Sequence, residues 1–352
     1  MPLLARLVNA PLVVDVRAGA VEDLGALLKD QRIATEGRVA IAVGPGQGDS
    51  ILAALDISAA EVFRVPDGTV DTAVTLGKQL RAGSYEAVAG IGGGRTIDVT
   101  KFGAHMAGIP MVAVATNLAH DGIASPVSSL EHESGKGSYG VVAPVAAIVD
   151  LDRVRAGDPR MVRAGIGDVV CKLNAIADWE LAATDVGEQI DGLSVALART
   201  AAEAVLHQPG TIADDGFLTV LAESLLMCGL AMSVAGSSRP CSGGDHEIMH
   251  AIDQLFPATA NHGELAGLGA LFCSFLRHNE RHFSLLSSCL GKHGLPRTPT
   301  DVGLTVAQFT AAVVHAPATR PGRYTILERL NLSLPEAAAA VERFEEAVRA
   351  DH

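Results

Sequence analysis

Six short runs rich in Val, Ile and Ala recur through the first 150 residues, at 12–16, 39–43, 61–65, 87–91, 111–115 and 146–149, and they constrain the fold more than any other feature. Each is too short for a helix and apolar enough to be buried on both faces. Segments of helical length separate several of them, notably 70–82 and 96–107. Short buried strands joined by crossover helices predict a mainly parallel sheet with helices on both sides. The polar, Gly-rich stretch at 131–139 interrupts the alternation and reads as a hairpin or flap.

Beyond about residue 150 the rhythm changes. Helical patterns follow one another at 166–184, 190–208, 214–235, 242–255, 262–279, 300–314 and 334–350, with Gly and Pro in the connections and no strand-like run. A chain of 352 residues also exceeds the usual size of a single core. The reading is therefore an α/β Rossmann-like domain over 1–155 followed by an all-helical domain over 156–352.

Charge narrows the partners. Twenty-seven Lys and Arg stand against 40 Asp and Glu, a net charge of −13. Such a surface disfavours nucleic acid and anionic membranes, and any phosphate-bearing ligand must be held by local donors. Cys171, Cys228, Cys241, Cys273 and Cys289 are odd in number and form no CxxC pair, as expected of a reducing compartment such as the cytoplasm. The N-terminus carries Arg6 inside its apolar run and no clear cleavage site, so no signal peptide is expected. The longest apolar stretch, 218–236, includes Glu223 and many small residues, and reads as a core helix rather than a membrane span.

Two loops at strand ends offer ligand chemistry. The run from 87 to 98 passes from strand through Gly92, Gly93 and Gly94 into a helix beginning near Arg95, Thr96 and Asp98. Glycines let a ligand approach the backbone, and the helix dipole favours a phosphate there. The spacing is GGGxxxD rather than GxGxxG, so a tight turn without a ligand is the competing reading. The next run ends in Thr116, Asn117, Leu118, Ala119, His120 and Asp121, with Ser125 close behind. Strand ends are where doubly wound sheets bind ligands.

The helical half offers metal chemistry. His246 and His250 share one helical face at i and i+4, and His262 opens the next helix. Asp168 follows Gly167 and could alternatively cap a helix. One carboxylate with two or three imidazoles suits a divalent ion with a position left open for substrate.

Together these residues resemble the glycerol-1-phosphate dehydrogenase family of the iron-containing alcohol dehydrogenase superfamily. The matching segments are GGGRTIDVTK at 92–101, AHDGIASP at 119–126, AGIGDVVCKLNAIADWELA at 164–182, SRPCSGGDHEIMHAID at 238–253, HGELAGLG at 262–269 and RPGRYTIL at 320–327. They keep the family's order to almost the end of the chain, and the likeness extends to glycerol dehydrogenases and, more distantly, dehydroquinate synthases. The resemblance implies an NAD- or NADP-linked enzyme with one divalent metal, Zn with Ni or Fe as alternatives. Asp168, His246 and His262 would hold the metal, and Lys172 stands where the superfamily's long-chain members place a fourth, histidine ligand. Gly92, Gly93, Gly94, Arg95, Thr96 and Asp98 would lie along the cofactor, with Thr116, Asn117, Leu118, Ala119 and Ser125 near its nicotinamide. Asp121, Asp168 and His250 would face the substrate, His250 and Asp121 being the candidates for proton relay. Lys172 and Arg239 are the candidates for a substrate phosphate, by charge and nearness to the motifs.

The family commonly reads Thr-Ala-Ala-Ser before His-Asp-Gly, unlike Thr116, Asn117, Leu118 and Ala119 here, and the 131–140 flap is also unusual. Both departures border the substrate and bear on its identity rather than on the chemistry. The expected reaction interconverts dihydroxyacetone phosphate and sn-glycerol 1-phosphate, or a related small polyol and ketone, as a step of phospholipid metabolism. The alternatives are a dehydroquinate-synthase-like cyclase, which would carry a glutamate at position 168, and a specialised ketone reductase. A homo-oligomer with a small-molecule substrate is expected.

Overall fold

The computed structural model describes residues 8–34, 37–55, 61–133 and 135–351, so the N-terminal run around Arg6 lies outside the described residues. Two compact units divide the chain, Met1–Pro159 and Arg160–His352.

The described residues of the first unit form strands β1 (Val13–Arg17), β2 (Val39–Val43), β3 (Glu61–Arg64), β4 (Ala87–Gly92), β5 (Met111–Ala115), β6 (Val127–His132), β7 (Gly135–Gly140) and β8 (Ala146–Asp150). Six of them make one sheet in the order β1-β8-β5-β4-β2-β3, with every pairing parallel. β4, β5 and β8 are buried at every residue, which is why their sequences read as unbroken apolar runs. The flap segment is an antiparallel ribbon of β6 and β7. Helices α1 (Leu24–Leu27), α2 (Gln47–Ala54), α3 (Val70–Ala82), α4 (Gly94–Ala107) and α5 (Leu151–Arg155) complete the unit.

This strand order creates a topological switch point, where sheets of this kind bind ligands. From β2 the chain moves outward to β3, whereas from β4 it moves the opposite way to β5. The reversal makes the carboxyl ends of β2 and β4 the switch point of the sheet. Gly44 follows β2 and Gly93 follows β4, and the Gly44 amide donates to the Ile91 carbonyl at 3.2 Å.

The second unit is helical throughout its described residues. It comprises α6 (Pro159–Val170), α7 (Lys172–Val186), α8 (Gly192–His207), α9 (Asp215–Ala235), α10 (Gly244–Leu255), α11 (His262–Leu276), α12 (Glu280–Lys292), α13 (Val306–His315), α14 (Ile326–Leu330) and α15 (Leu334–Ala350). Phe272 on α11 packs edge-on against Phe309 of α13 and Phe344 of α15, with ring centroids 5.4 and 5.2 Å away. α9 is long and apolar enough to cross a membrane, but two-thirds of its most apolar stretch is buried within the structure.

Two expectations for this unit are corrected. The single helix over 166–184 is two helices broken at Cys171, and Asp168 sits near the end of the first rather than capping one. The start signal was Pro159, which suits a first helical position because its missing N–H is not needed there. α12 lay in a stretch read as connection. Its three serines blur the apolar period, although Asn279 caps it by accepting from the His282 amide at 3.1 Å.

Candidate active site

Asp168, His246 and His262 meet from three helices. Oδ1 of Asp168 lies 3.8 Å from Nε2 of His246 and 3.7 Å from Nε2 of His262, and the two imidazole centroids are 5.1 Å apart. Asp168 has no exposed side-chain surface and His246 has 7%, but His262 is 35% exposed, so the cluster opens on the His262 side.

Small residues beside these side chains make the meeting possible. Gly167 and Gly263 face each other where α6 crosses α11. A Cβ on Gly263 would overlap the Ala164 carbonyl, and one on Gly167 would overlap the Gly263 carbonyl. Backbone contact at the crossing brings the adjacent Asp168 and His262 together. Arg160 of α6 then grips Glu264 of α11 through two hydrogen bonds of 2.7 and 2.9 Å. Glu264 also closes the capping box with Asn261, which fixes the first turn of α11 and with it His262.

His246 is oriented by a buried carboxylate. Its Nδ1 bonds to Asp245 Oδ2, which leaves the Nε2 lone pair turned toward Asp168. Asp245 Oδ1 accepts from Asn174 at 2.5 Å and from the Gly243 amide at 3.2 Å. Asp178, also fully buried, accepts from the Gly244 amide at 2.8 Å and the Ile326 amide at 2.7 Å, and so anchors the starts of α10 and α14. Burial raises the Asp178 carboxyl to about 6 despite the neighbouring Arg277. Asp245 and Asp178 were not singled out in the sequence. The available signal was a carboxylate directly before His246.

Lys172 is buried and pairs with Asp168 Oδ1 at 2.8 Å. Burial alone would raise the Asp168 carboxyl, but Lys172, His262 and His246 outweigh it and hold that group well below the usual carboxylate range. Cys171 Sγ belongs to the same cluster, within 4.8 Å of donor atoms of Asp168 and His246, and donates to the Asp168 main-chain carbonyl at 3.0 Å. One turn along α10 from His246, His250 accepts from Arg320 through Nε2 at 2.8 Å. Arginine only donates, so the His250 proton resides on Nδ1. Arg239 is engaged elsewhere: its fork holds Glu188, with Nε to Oε1 at 2.6 Å, and it donates to the Tyr324 carbonyl at 3.0 Å. Beside this cluster, burial raises the Glu247 carboxyl to about 9.

In the first unit, the residues expected along a cofactor lie on two interlocked strand-end loops. Gly93 caps α4 in extended geometry, and the Thr116 amide donates to the Gly92 carbonyl at 3.0 Å. A Cβ on Gly94 would overlap Nε2 of His120, and one on Gly93 would lie 2.5 Å from Nδ2 of Asn117. Arg95 is exposed, and Gly93, Gly94, Asn117, Ala119 and Asp121 are part-exposed, whereas Thr96, Asp98, Thr116, Leu118 and Ser125 are buried beneath them. Asp121 opens a short 3-10 turn, Asp121–Ile123, whose Gly122 amide donates to His120 Nδ1 at 3.0 Å. Lys101, unnoticed in the sequence, ties the second loop down. Its buried ammonium pairs with Asp98 at 3.0 Å and donates to the Gly122 carbonyl at 2.7 Å and to the Val127 carbonyl. The loop after β2, from Gly44 to Gly48, also borders the switch point and was missed because its glycines do not follow the longer motif.

Comparison with known proteins gives the chain its relatives. Residues 15–157 match the family described as iron-containing alcohol dehydrogenase. The fold is shared with a probable glycerol dehydrogenase from Sinorhizobium meliloti, at TM-score 0.81 and 20% identity over 99% of this chain and all of that one. It is shared too with glycerol dehydrogenase from Schizosaccharomyces pombe, at TM-score 0.75 and 18% identity over 99% and 92% of the two chains. The matched N-terminal residues are those of the iron-containing alcohol dehydrogenases, and the two solved structures share the fold. A glycerol-1-phosphate dehydrogenase [NAD(P)+] from Methanothermobacter thermautotrophicus is 31% identical over 97% of this chain and 99% of its own. Another, from Hyperthermus butylicus, is 37% identical over 80% of each. This chain belongs to the glycerol-1-phosphate dehydrogenase family.

Proposed function

We propose that the chain is a cation-dependent, NAD(P)-linked dehydrogenase that interconverts dihydroxyacetone phosphate and sn-glycerol 1-phosphate. The observation that carries this reading is the convergence of one buried carboxylate and two imidazoles from α6, α10 and α11. The donors suit a divalent cation. Asp168 is ionised, His246 presents its Nε2 lone pair because its Nδ1–H donates to Asp245, and the His262 side is open to solvent. Cys171 is the weaker candidate, since it acts as a thiol donor to a carbonyl and a metal requires the thiolate. A zinc, nickel or iron ion bound there would supply Lewis-acid polarisation of the substrate oxygen.

The residues of the chain do the remaining work. The amides after Gly93 and the start of α4 favour the pyrophosphate of a dinucleotide. The relatives' NAD(P)+ designation supports that ligand, as does the reductase from Bifidobacterium kashiwanohense, solved with NAD+ and sharing the fold at TM-score 0.71 and 16% identity. The nicotinamide would exchange hydride with the substrate carbon. His250, neutral and carrying its proton on Nδ1, can pass a proton to or from a substrate hydroxyl, and Asp121 is the second candidate for orienting one. We place the enzyme in the cytoplasm, in line with five buried free cysteines, and expect it to act as a homo-oligomer.

The test strips the protein with a chelator, restores Zn²⁺, Ni²⁺ or Fe²⁺ in turn, and follows NADH and NADPH oxidation with dihydroxyacetone phosphate and with dihydroxyacetone. Cation-dependent oxidation with the phosphorylated ketone is expected. No turnover with any cation and either ketone would end this reading.

A further inference from the structure

Four arginines lie in the part of the helical unit around α10, and three are already engaged. Arg239 holds Glu188 and the Tyr324 carbonyl. Arg277 holds Asp178 and Asn174. Arg323 donates to the Ser242 carbonyl and, at 2.9 Å, to Ser238 Oγ. Arg320 differs. Among the described residues its guanidinium makes a single hydrogen bond, to the uncharged ring of His250, and no carboxylate pairs with it. A half-buried arginine thus keeps two nitrogens unspent, in a fork whose geometry suits phosphate oxygens.

Its position along α10 matches a small phosphoester. His246 and His250 stand one turn apart on the same face, about 6 Å between Cβ atoms, and Arg320 lies at the far end of that step, on His250. The 3-10 turn Ala316–Thr319, which leads into Arg320, packs against α10, and Thr319 Oγ1 donates to the Ala316 carbonyl at 2.7 Å.

We infer that Arg320, oriented by His250, forms the phosphate subsite of the substrate, selecting a phosphorylated three-carbon ketone or polyol over its unphosphorylated counterpart. The inference deepens the proposed function and rests on it for the identity of the substrate. It moves the phosphate contact away from Lys172 and Arg239, whose charges are taken by Asp168 and Glu188.

The experiment compares wild type, Arg320→Gln, Arg320→Lys and, as a surface control, Arg349→Gln. Steady-state rates are measured with dihydroxyacetone phosphate and with dihydroxyacetone. Inorganic phosphate is tested as an inhibitor and, separately, as a ligand that raises Tm. Loss of charge-assisted contacts predicts that Arg320→Gln raises KM for the phosphorylated ketone about 10- to 100-fold. Arg320 also holds His250, so dihydroxyacetone turnover should fall too, but at least tenfold less than kcat/KM for the phosphorylated ketone; the phosphate-induced rise in Tm should vanish, with Arg320→Lys intermediate. An unchanged preference for the phosphorylated ketone in a folded Arg320→Gln variant would overturn the subsite, as would equal loss with both ketones. Should wild type turn over neither ketone, the dehydrogenase reading fails and the Tm titration decides the subsite alone: equal phosphate stabilisation of wild type and Arg320→Gln, or none in either, overturns it.

Discussion

Replacing Asp245 by Asn is the sharpest probe of how the cluster is tuned, because it keeps the shape and removes the charge. Asp245 is fully buried and accepts on both oxygens: the His246 Nδ1 proton at Oδ2, and Asn174 and the Gly243 amide at Oδ1. An amide satisfies only one side. If its oxygen faces the imidazole, its NH₂ confronts two donors, and if it faces Asn174, the imidazole loses its acceptor. A hydrogen bond to a charged group contributes about 1.5–3 kcal/mol against about 1 for a neutral one, so the imidazole loses roughly 1–2 kcal/mol of support in the better orientation. Because the buried carboxylate makes Nε2 more basic, that loss passes into cation binding, about a 10- to 100-fold weakening. The assay is a competition titration of chelator-stripped protein with Zn²⁺ and Ni²⁺ at constant pH, with His246→Ala as the null variant. Asp245→Asn binding either ion at wild-type affinity, while His246→Ala binds neither, would refute the claim that this carboxylate sets the donor strength of His246.

Three further outcomes follow from the same geometry. Gly263→Ala drives a Cβ into the Ala164 carbonyl and should part α6 from α11, costing about 1–3 kcal/mol and weakening the cation site more than tenfold; denaturant midpoints and chelator competition check both, and a silent variant would show that the helices tolerate separation. Gly94→Ala meets the ring of His120, which must give up its bond from the Gly122 amide to move aside, so stability should fall by about 1 kcal/mol while NADH affinity, read by fluorescence titration, falls about tenfold because the displaced ring and the new methyl crowd the turn. Burial, helped by Lys292 and Arg163, lowers the buried His293 from 6.5 to about 4, so the fold favours its neutral ring; the associated stability is complete above pH 6.5 and is lost as pH falls toward 4, by at most about 3 kcal/mol. His293→Asn should flatten that limb of a pH series of urea midpoints, and an unchanged slope would remove His293 as its cause.

Much of the fold was legible because burial on both faces leaves a mark in sequence. The runs at 39–43 and 111–115 have the same bounds as β2 and β5, and 70–82 the same as α3. Where the reading slipped, local signals competed. At Cys171 the apolar helical period continues across the break between α6 and α7, so periodicity alone joins them. The glycine turn and the Asp168, His246 and His262 set stood out through compact motifs. Their supports did not, because they act across long separations: Arg320 reaches His250 over 70 positions, Asn174 reaches Asp245 over 71, and Arg160 reaches Glu264 over 104.

The acidic composition posed a difficulty that the structure answers locally. A chain with net charge −13 repels an anionic substrate at long range, so selectivity for one must come from a cation whose charge is not already spent. Near α10 the acids meet that condition by occupying three of the other cations. Glu188 takes Arg239, Asp178 takes Arg277 and Asp168 takes Lys172. Buried pairs of this kind add little net stability for their desolvation cost, but they fix side chains in place. Here they fix the helix starts and the donor cluster, and among the described residues they leave Arg323, spent on Ser242 and Ser238, and Arg320, whose single bond to an uncharged histidine makes it the place where a phosphate gains most. Phosphate recognition in this chain is therefore read better from which acids are already paired than from where the basic residues cluster in the sequence.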